Sequence, residues 1–192
     1  DSDKLEIVAM DPANVAMIVF RLLSSSFVEY NVKDGESIVL SLDSLKQVLG
    51  RSKASDSVIF ELNEETNKLN ISFDGETKRN FNLSLLEIEG EDQKVPELDF
   101  PGSVDLNTFV FNEAIDDMDI ISDSIILNLS RDGLVMEAMG NTSDAKVKLS
   151  VKDGGNLVCS EDPIKSKYSI EYLKKIAKGG KLANNVVLKF GQ

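Results

Sequence analysis

The chain has no histidine, which excludes a Ser-His-Asp triad, a histidine metal cluster and imidazole acid–base catalysis. Its one cysteine, Cys159, excludes an internal disulfide framework and fits a reducing compartment. The longest pure apolar run, VAMIVF, falls far short of the roughly 20 residues of a membrane-spanning helix, so no membrane role is expected. Glycines sit singly in DG and GG turns, with no phosphate-cradling spacing. Basic residues are scarce: 21 Lys and Arg face 33 Asp and Glu, for a net charge of −12. That balance argues against indiscriminate nucleic-acid binding and for a self-repelling surface. No catalytic grouping, cofactor motif or metal motif survives, so an enzyme is the least favoured class.

What is present is a hydrophobic content of 42% over 192 residues, enough for two modest domains or one large one. Strands dominate. SDKLEIVAM and NVAMIVFRL flank an Asp11-Pro12 turn; ESIVLSL is a further strand; SVIFEL and KLNISF form a hairpin around NEETN. RNFNLSLLEI puts Phe81, Leu83 and Leu85 on one face, and SIILNLSRDGLVMEAM is a hairpin closed on Asp132-Gly133. DAKVKLSV, NLVCSE and NVVLKF complete the set. The aperiodic stretch EGEDQKVPELDFPGS divides the chain into a first domain over 1–89, a connector over 90–101 and a second domain over 102–192.

The two halves echo each other. LEIVAMDPANVA at 5–16 returns as LVMEAMGNTSDA at 134–145, with Leu5, Ala9, Met10 and Ala16 falling on Leu134, Ala138, Met139 and Ala145 without a gap. LSLDSLKQVLG places Leu42, Leu45, Val48 and Leu49 on one helical face, and YSIEYLKKIAKG does the same with Ile170, Leu173, Ile176 and Ala177, 128 residues on. The following strands, from Val58 and Val186, keep that offset. Four elements recurring in order mean duplicated domains. Two complete copies would need roughly 245 residues, so the given chain is expected to be short at both ends.

Charge is distributed unevenly. Residues 45–54 hold Lys46, Arg51 and Lys53 without an acid; residues 172–181 hold Lys174, Lys175, Lys178 and Lys181, again without one. Both windows contain the repeated helix, and its cations lie away from the apolar stripe. A solvated face is the ordinary reading of such a run. Recurrence in both copies against an acidic background favours phosphate contact instead. FNEAIDDMDII is a helix whose Glu113, Asp116, Asp117 and Asp119 read as a polar face rather than a metal site. Cys159, with no partner base, reads as a core residue.

AMDPANVAM at 9–17, SLDSLKQVLGRSKASD at 41–56, RNFNLSLLEIE leading to VPELDF at 95–100, and YSIEYLKKIAKG at 168–179 resemble the proliferating cell nuclear antigen family of DNA sliding clamps, archaeal members above all. The resemblance covers essentially the whole chain. It implies an α+β fold of duplicated clamp domains in a homo- or heterotrimeric ring, with β-sheets outside and amphipathic helices lining the hole around duplex DNA. Lys46, Arg51, Lys53, Lys174, Lys175, Lys178 and Lys181 would then face DNA without reading its sequence.

Partners implied are DNA polymerase, the clamp loader, flap endonuclease and DNA ligase, each inserting a short hydrophobic-aromatic peptide. Its pocket would comprise Met10, Val15, Met17, Val95, Pro96 and Ser169, the last through its carbonyl. Gln93 departs from the apolar residue common at that connector site, and Asn112, Glu113 and Asp116 stand where many relatives carry bases. The expected subunit joint pairs strand 78–85, with Lys78, Phe81 and Leu83, against 144–151, with Lys146 and Lys148; proline at Leu83 is expected to break it. Location follows the chromosome: cytoplasmic in an archaeon, nuclear in a eukaryote. The alternative is an acidic β-rich assembly scaffold, such as a checkpoint-type clamp subunit.

Overall fold

The computed structural model describes residues 2–87, 95–151 and 156–191, and these fall into two compact units, Asp1–Val95 and Pro96–Gln192. Gln93 and connector positions 90–94 lie outside the described residues.

In the first unit, β1 (Lys4–Met10) and β2 (Met17–Leu23) form an antiparallel hairpin with Met10 opposite Met17. Helix α1 (Leu42–Leu49) starts at Ser41, whose hydroxyl accepts the Ser44 amide at 3.3 Å and so satisfies one of the helix's orphan donors. β3 (Ser57–Asn63), β4 (Lys68–Asp74) and β5 (Arg79–Ser84) follow as an antiparallel sheet in that order. β4 alternates strictly and buries Leu69, Ile71 and Phe73. Leu45 and Val48 of α1 and Phe81 and Leu83 of β5 pack against them, with the Phe73 and Phe81 rings edge-on at 5.6 Å. Truncating Ile71, which is fully buried, to alanine would cost about 2–5 kcal/mol.

The second unit adds β6 (Gly102–Asn107), α2 (Thr108–Asp119), β7 (Ser124–Ser130), β8 (Gly133–Met139), β9 (Asp144–Leu149), β10 (Leu157–Cys159), β11 (Ile164–Ser169), α3 (Ile170–Ala177) and β12 (Asn185–Phe190). Two antiparallel sheets, β10-β6-β12 and β11-β7-β8-β9, share a core with the helices. Asn107 caps α2 by accepting the Phe109 amide at 3.0 Å, and Phe111, Ala114, Ile115 and Met118 form its buried stripe. At Gly102 a Cβ would press on the Ile164 and Leu129 methyls at 2.8 and 2.9 Å and lie 3.1 Å from Phe190 O, so a larger residue there needs the surrounding core to shift. Gly133, at φ +128, leads out of the two-residue turn at 131–132.

Helix α1 and α3 begin 128 residues apart, as do the cores of β3 and β12, so the duplication stands. Two expectations are corrected. ESIVLSL is not a strand: among the described residues before α1 its one ladder-like backbone bond is Leu86 N–H to Val39 O, 2.8 Å. A strand needs a continuous ladder; this segment makes one bond of that kind, whereas the equivalent β11 pairs with β7 along its whole length. The repeat is also not ungapped through the turn. Met10 faces Met17, but Met139 faces Asp144, so the first turn is two residues longer and Ala16 is not the counterpart of Ala145.

Candidate DNA-facing helices, partner turn and subunit edges

The longer turn, residues 11–16, is built on Asp11. Its carboxylate accepts the amides of Val15 at 2.6 Å, Ala16 at 2.7 Å and Ala13 at 3.2 Å, while its own N–H reaches Ala16 O at 2.9 Å. Asn14 takes the left-handed conformation, φ 56, that short polar side chains tolerate. The turn is thereby fixed with Val15 69% exposed at its tip and Met10 and Met17 half-buried at its base. A rigid, apolar projection of this kind suits a short peptide. Val95 and Pro96 are exposed on the strand-free approach to the second unit. Ser169 is exposed in the second unit, where it ends β11 and precedes α3.

Seven cations were picked out by sequence, and they are not equivalent. Lys46 on α1 and Arg51 just beyond it have no carboxylate partner among the described residues, whereas Lys53 pairs with Glu76 at 3.3 Å. The turn carrying Arg51 and Lys53 is held by Asp56, whose side chain is only 2% exposed. Asp56 accepts the Lys53 amide at 2.7 Å and pairs with the Arg79 guanidinium. Arg79 also donates to Arg51 O at 2.8 Å and lies over the Phe73 ring at 5.0 Å. Gly75 makes room for the carboxylate, since a Cβ there would come within 2.2 Å of it.

In the second unit, Lys174 Nζ sits 2.6 Å from Asp119 Oδ2 and 3.6 Å from Asp116 Oδ1, both on α2. The Asp119 hydrogen bond holds the Lys174 ammonium above the usual lysine range. Lys175 binds Glu171 one turn back at 2.6 Å. Lys178 and Lys181 have no carboxylate partner among the described residues. Asn112 is not a free surface residue: its amide donates to Ala177 O at 3.4 Å and packs against Gly180, joining α2 to the end of α3. Lys174, Lys175 and Lys178 line an open depression of about 750 Å³ together with Ser169, so residues expected to serve DNA and partner peptides adjoin one another.

β5 and β9 are both sheet edges. Leu85 donates to Asn67 O at 3.0 Å, and with alternation this turns the backbone groups of Leu83, Phe81 and Arg79 towards β4. The open edge is therefore Asn80, Asn82 and Ser84. Phe81 and Leu83 point into the core, and Lys78 pairs with Asp74 at 3.4 Å. Proline at Leu83 would break the β4–β5 ladder rather than a joint, which corrects the expectation. On β9 the Gly140 to Ser143 bond, 2.9 Å, fixes the same phase: Ala145 and Val147 turn their backbone groups to β8, and those of Asp144, Lys146 and Lys148 face outwards. Lys146 is tied across the sheet to Glu137 at 2.7 Å; Lys148 has no carboxylate partner among the described residues.

Sequence reasoning missed the Asp56–Arg79 clamp and the α2–α3 ion pairs. The first carries no motif, and the second joins residues 55 positions apart. Comparison with known proteins gives a consistent result. Family models described as the N-terminal and C-terminal domains of proliferating cell nuclear antigen match residues 1–94 and 94–192. A DNA polymerase sliding clamp of Thermococcus gammatolerans is 38% identical over 184 residues, 95% of this chain and 74% of that protein. Its counterpart in Pyrococcus furiosus is 35% identical over 190 residues, 98% and 76% of the two chains. The crystal structure of PCNA from Thermococcus kodakaraensis superposes with a TM-score of 0.86 at 25% identity, covering all of this chain and 78% of that one.

Proposed function

The chain belongs to the proliferating cell nuclear antigen family and is a DNA polymerase sliding clamp, and on that premise we propose that it works as a subunit of a closed trimeric ring whose α1, α2 and α3 face duplex DNA. The observation that carries this is the duplicated α1 and α3. Each follows the same place in its repeat and carries lysine away from its apolar stripe, Lys46 on α1 and Lys174 and Lys175 on α3, in a chain of net charge −12. A topologically linked ring needs no tight contact; a few phosphate contacts that ignore base sequence permit sliding.

Neighbouring subunits join through the outward edges of β5 and β9, completing ladders that would otherwise be exposed. DNA polymerase, the clamp loader, flap endonuclease and DNA ligase dock through short peptides on Met10, Val15 and Met17, with Val95 of the same unit as a further contact. The chain itself supplies no chemistry and acts beside the chromosome, in the cytoplasm of an archaeal cell. The test is loading of the full-length protein onto nicked circular and linear DNA. Retention on circles and loss from free ends is expected, and reversal of Lys46, Arg51, Lys178 and Lys181 to glutamate should shorten retention while leaving the ring intact. Equal retention on both DNAs would favour a scaffold that does not encircle DNA.

A further inference from the structure

We propose that Asp116 and Asp119 act as internal competitors for Lys174, withholding it from DNA phosphates, so that the direct hold on DNA falls to Lys46, Arg51, Lys178 and Lys181. This rests on the reading that the helices face DNA. Helix α2 carries four carboxylates, Glu113, Asp116, Asp117 and Asp119, and no cation; residues 170–182 carry four lysines and Glu171. The helix layer of the second unit therefore sums to −1. Its lysines divide evenly: Lys174 and Lys175 are paired with carboxylates, whereas Lys178 and Lys181 have none among the described residues.

The competition is reversible by construction. Lys174, Asp116 and Asp119 are 43%, 65% and 42% exposed, so a phosphate can reach the ammonium, but only by displacing two carboxylates. An exposed pair of this kind is worth about a two- to five-fold bias in equilibrium, and salt weakens it. Fewer counterions are then released when DNA enters, and the clamp holds it with a shallower salt dependence than its lysine count implies. Asn112 supports the arrangement by fixing α2 against the end of α3, which keeps the two aspartates in reach of Lys174.

The experiment is fluorescence anisotropy of the full-length ring-forming protein with a labelled 30-base-pair duplex, titrated over potassium chloride. Asp116→Asn with Asp119→Asn should tighten binding about two- to five-fold per subunit at low salt. It should also steepen the slope of log K against log salt by about 1 per subunit, because one more phosphate contact forms. Adding Lys174→Gln should erase both gains, and Asp117→Asn, which removes one carboxylate of the same helix that makes no ion pair with Lys174, should give neither. A triple variant that keeps the full gain, or a double variant that gains nothing, overturns the proposal. If Lys46→Glu with Arg51→Glu leaves binding unchanged, the DNA-facing reading itself falls, and the proposal with it.

Discussion

Arg79 and Asp56, 23 residues apart, meet as an ion pair that fastens the cationic turn after α1 to the first residue of β5. The carboxylate is almost wholly shielded and also holds the Lys53 amide. Asp56→Ala strands the guanidinium without its counter-ion, and because Arg79 keeps some solvent contact the loss should lie at the low end for such pairs, about 3 kcal/mol. Urea unfolding of the full-length protein checks it through a fall in midpoint at unchanged slope.

Subunit joining depends on the parity of β5. Asn82→Pro removes an outward donor and should yield folded monomers by light scattering. Leu83→Pro instead removes a bond to β4 and should destabilise the first unit. If Asn82→Pro leaves the trimer intact, another edge makes the joint.

For partner peptides, Met17→Glu with Val95→Glu should weaken binding of a consensus hydrophobic-aromatic peptide at least 10-fold in calorimetry, the scale of losing a buried anchor. Asp11→Ala tests preorganisation separately. It frees three amides, should hasten hydrogen exchange at Val15 and Ala16, and should lower peptide affinity without removing any contact side chain. Unchanged exchange in Asp11→Ala would mean the turn is held by other bonds.

The Lys146 hydrogen bond places the Glu137 carboxyl below the ordinary glutamate value of 4.5. A depressed folded value means the pair adds stability above pH 4.5 and loses that contribution as pH falls through the lowered value. Carbon-detected titration should put the Glu137 midpoint below 4.5 and return it there in Lys146→Ala. A midpoint that ignores the substitution would assign the shift to another neighbour.

The duplication was legible because α1 and α3 repeat their apolar spacing, and the matching Leu45 and Leu173 both pack on a core; Val48 does so too, although its counterpart Ile176 is 50% exposed. β6 and β11 were not, since their inward positions include Gly102 and Ser166, which dilute the alternation that marks a strand. Ile38, Val39 and Leu40 read as a strand from propensity alone, yet a strand exists only against a partner. The shared Ala16 and Ala145 disguised a two-residue difference in turn length. Lys174 was visible as a cation. Its neutralisation was not, because only the packing of α2 on α3 brings Asp116 and Asp119 to it.

That the proposed joint sets β5 of one subunit against β9 of the next, two different strand edges, has a consequence for assembly. The contact is heterologous: one face of the joint cannot serve as its own mate, so no two-fold dimer satisfies it, and every added subunit exposes a fresh edge of the other kind. Growth ends only when the rotation per joint returns the chain of subunits to its start. Ring size is then a matter of angle, whereas ring lifetime is a matter of affinity. A subunit blocked on one edge still offers the other, and so terminates an open arc. Mixed with the normal protein, Asn82→Pro would act as a poison of ring closure rather than as an inert bystander.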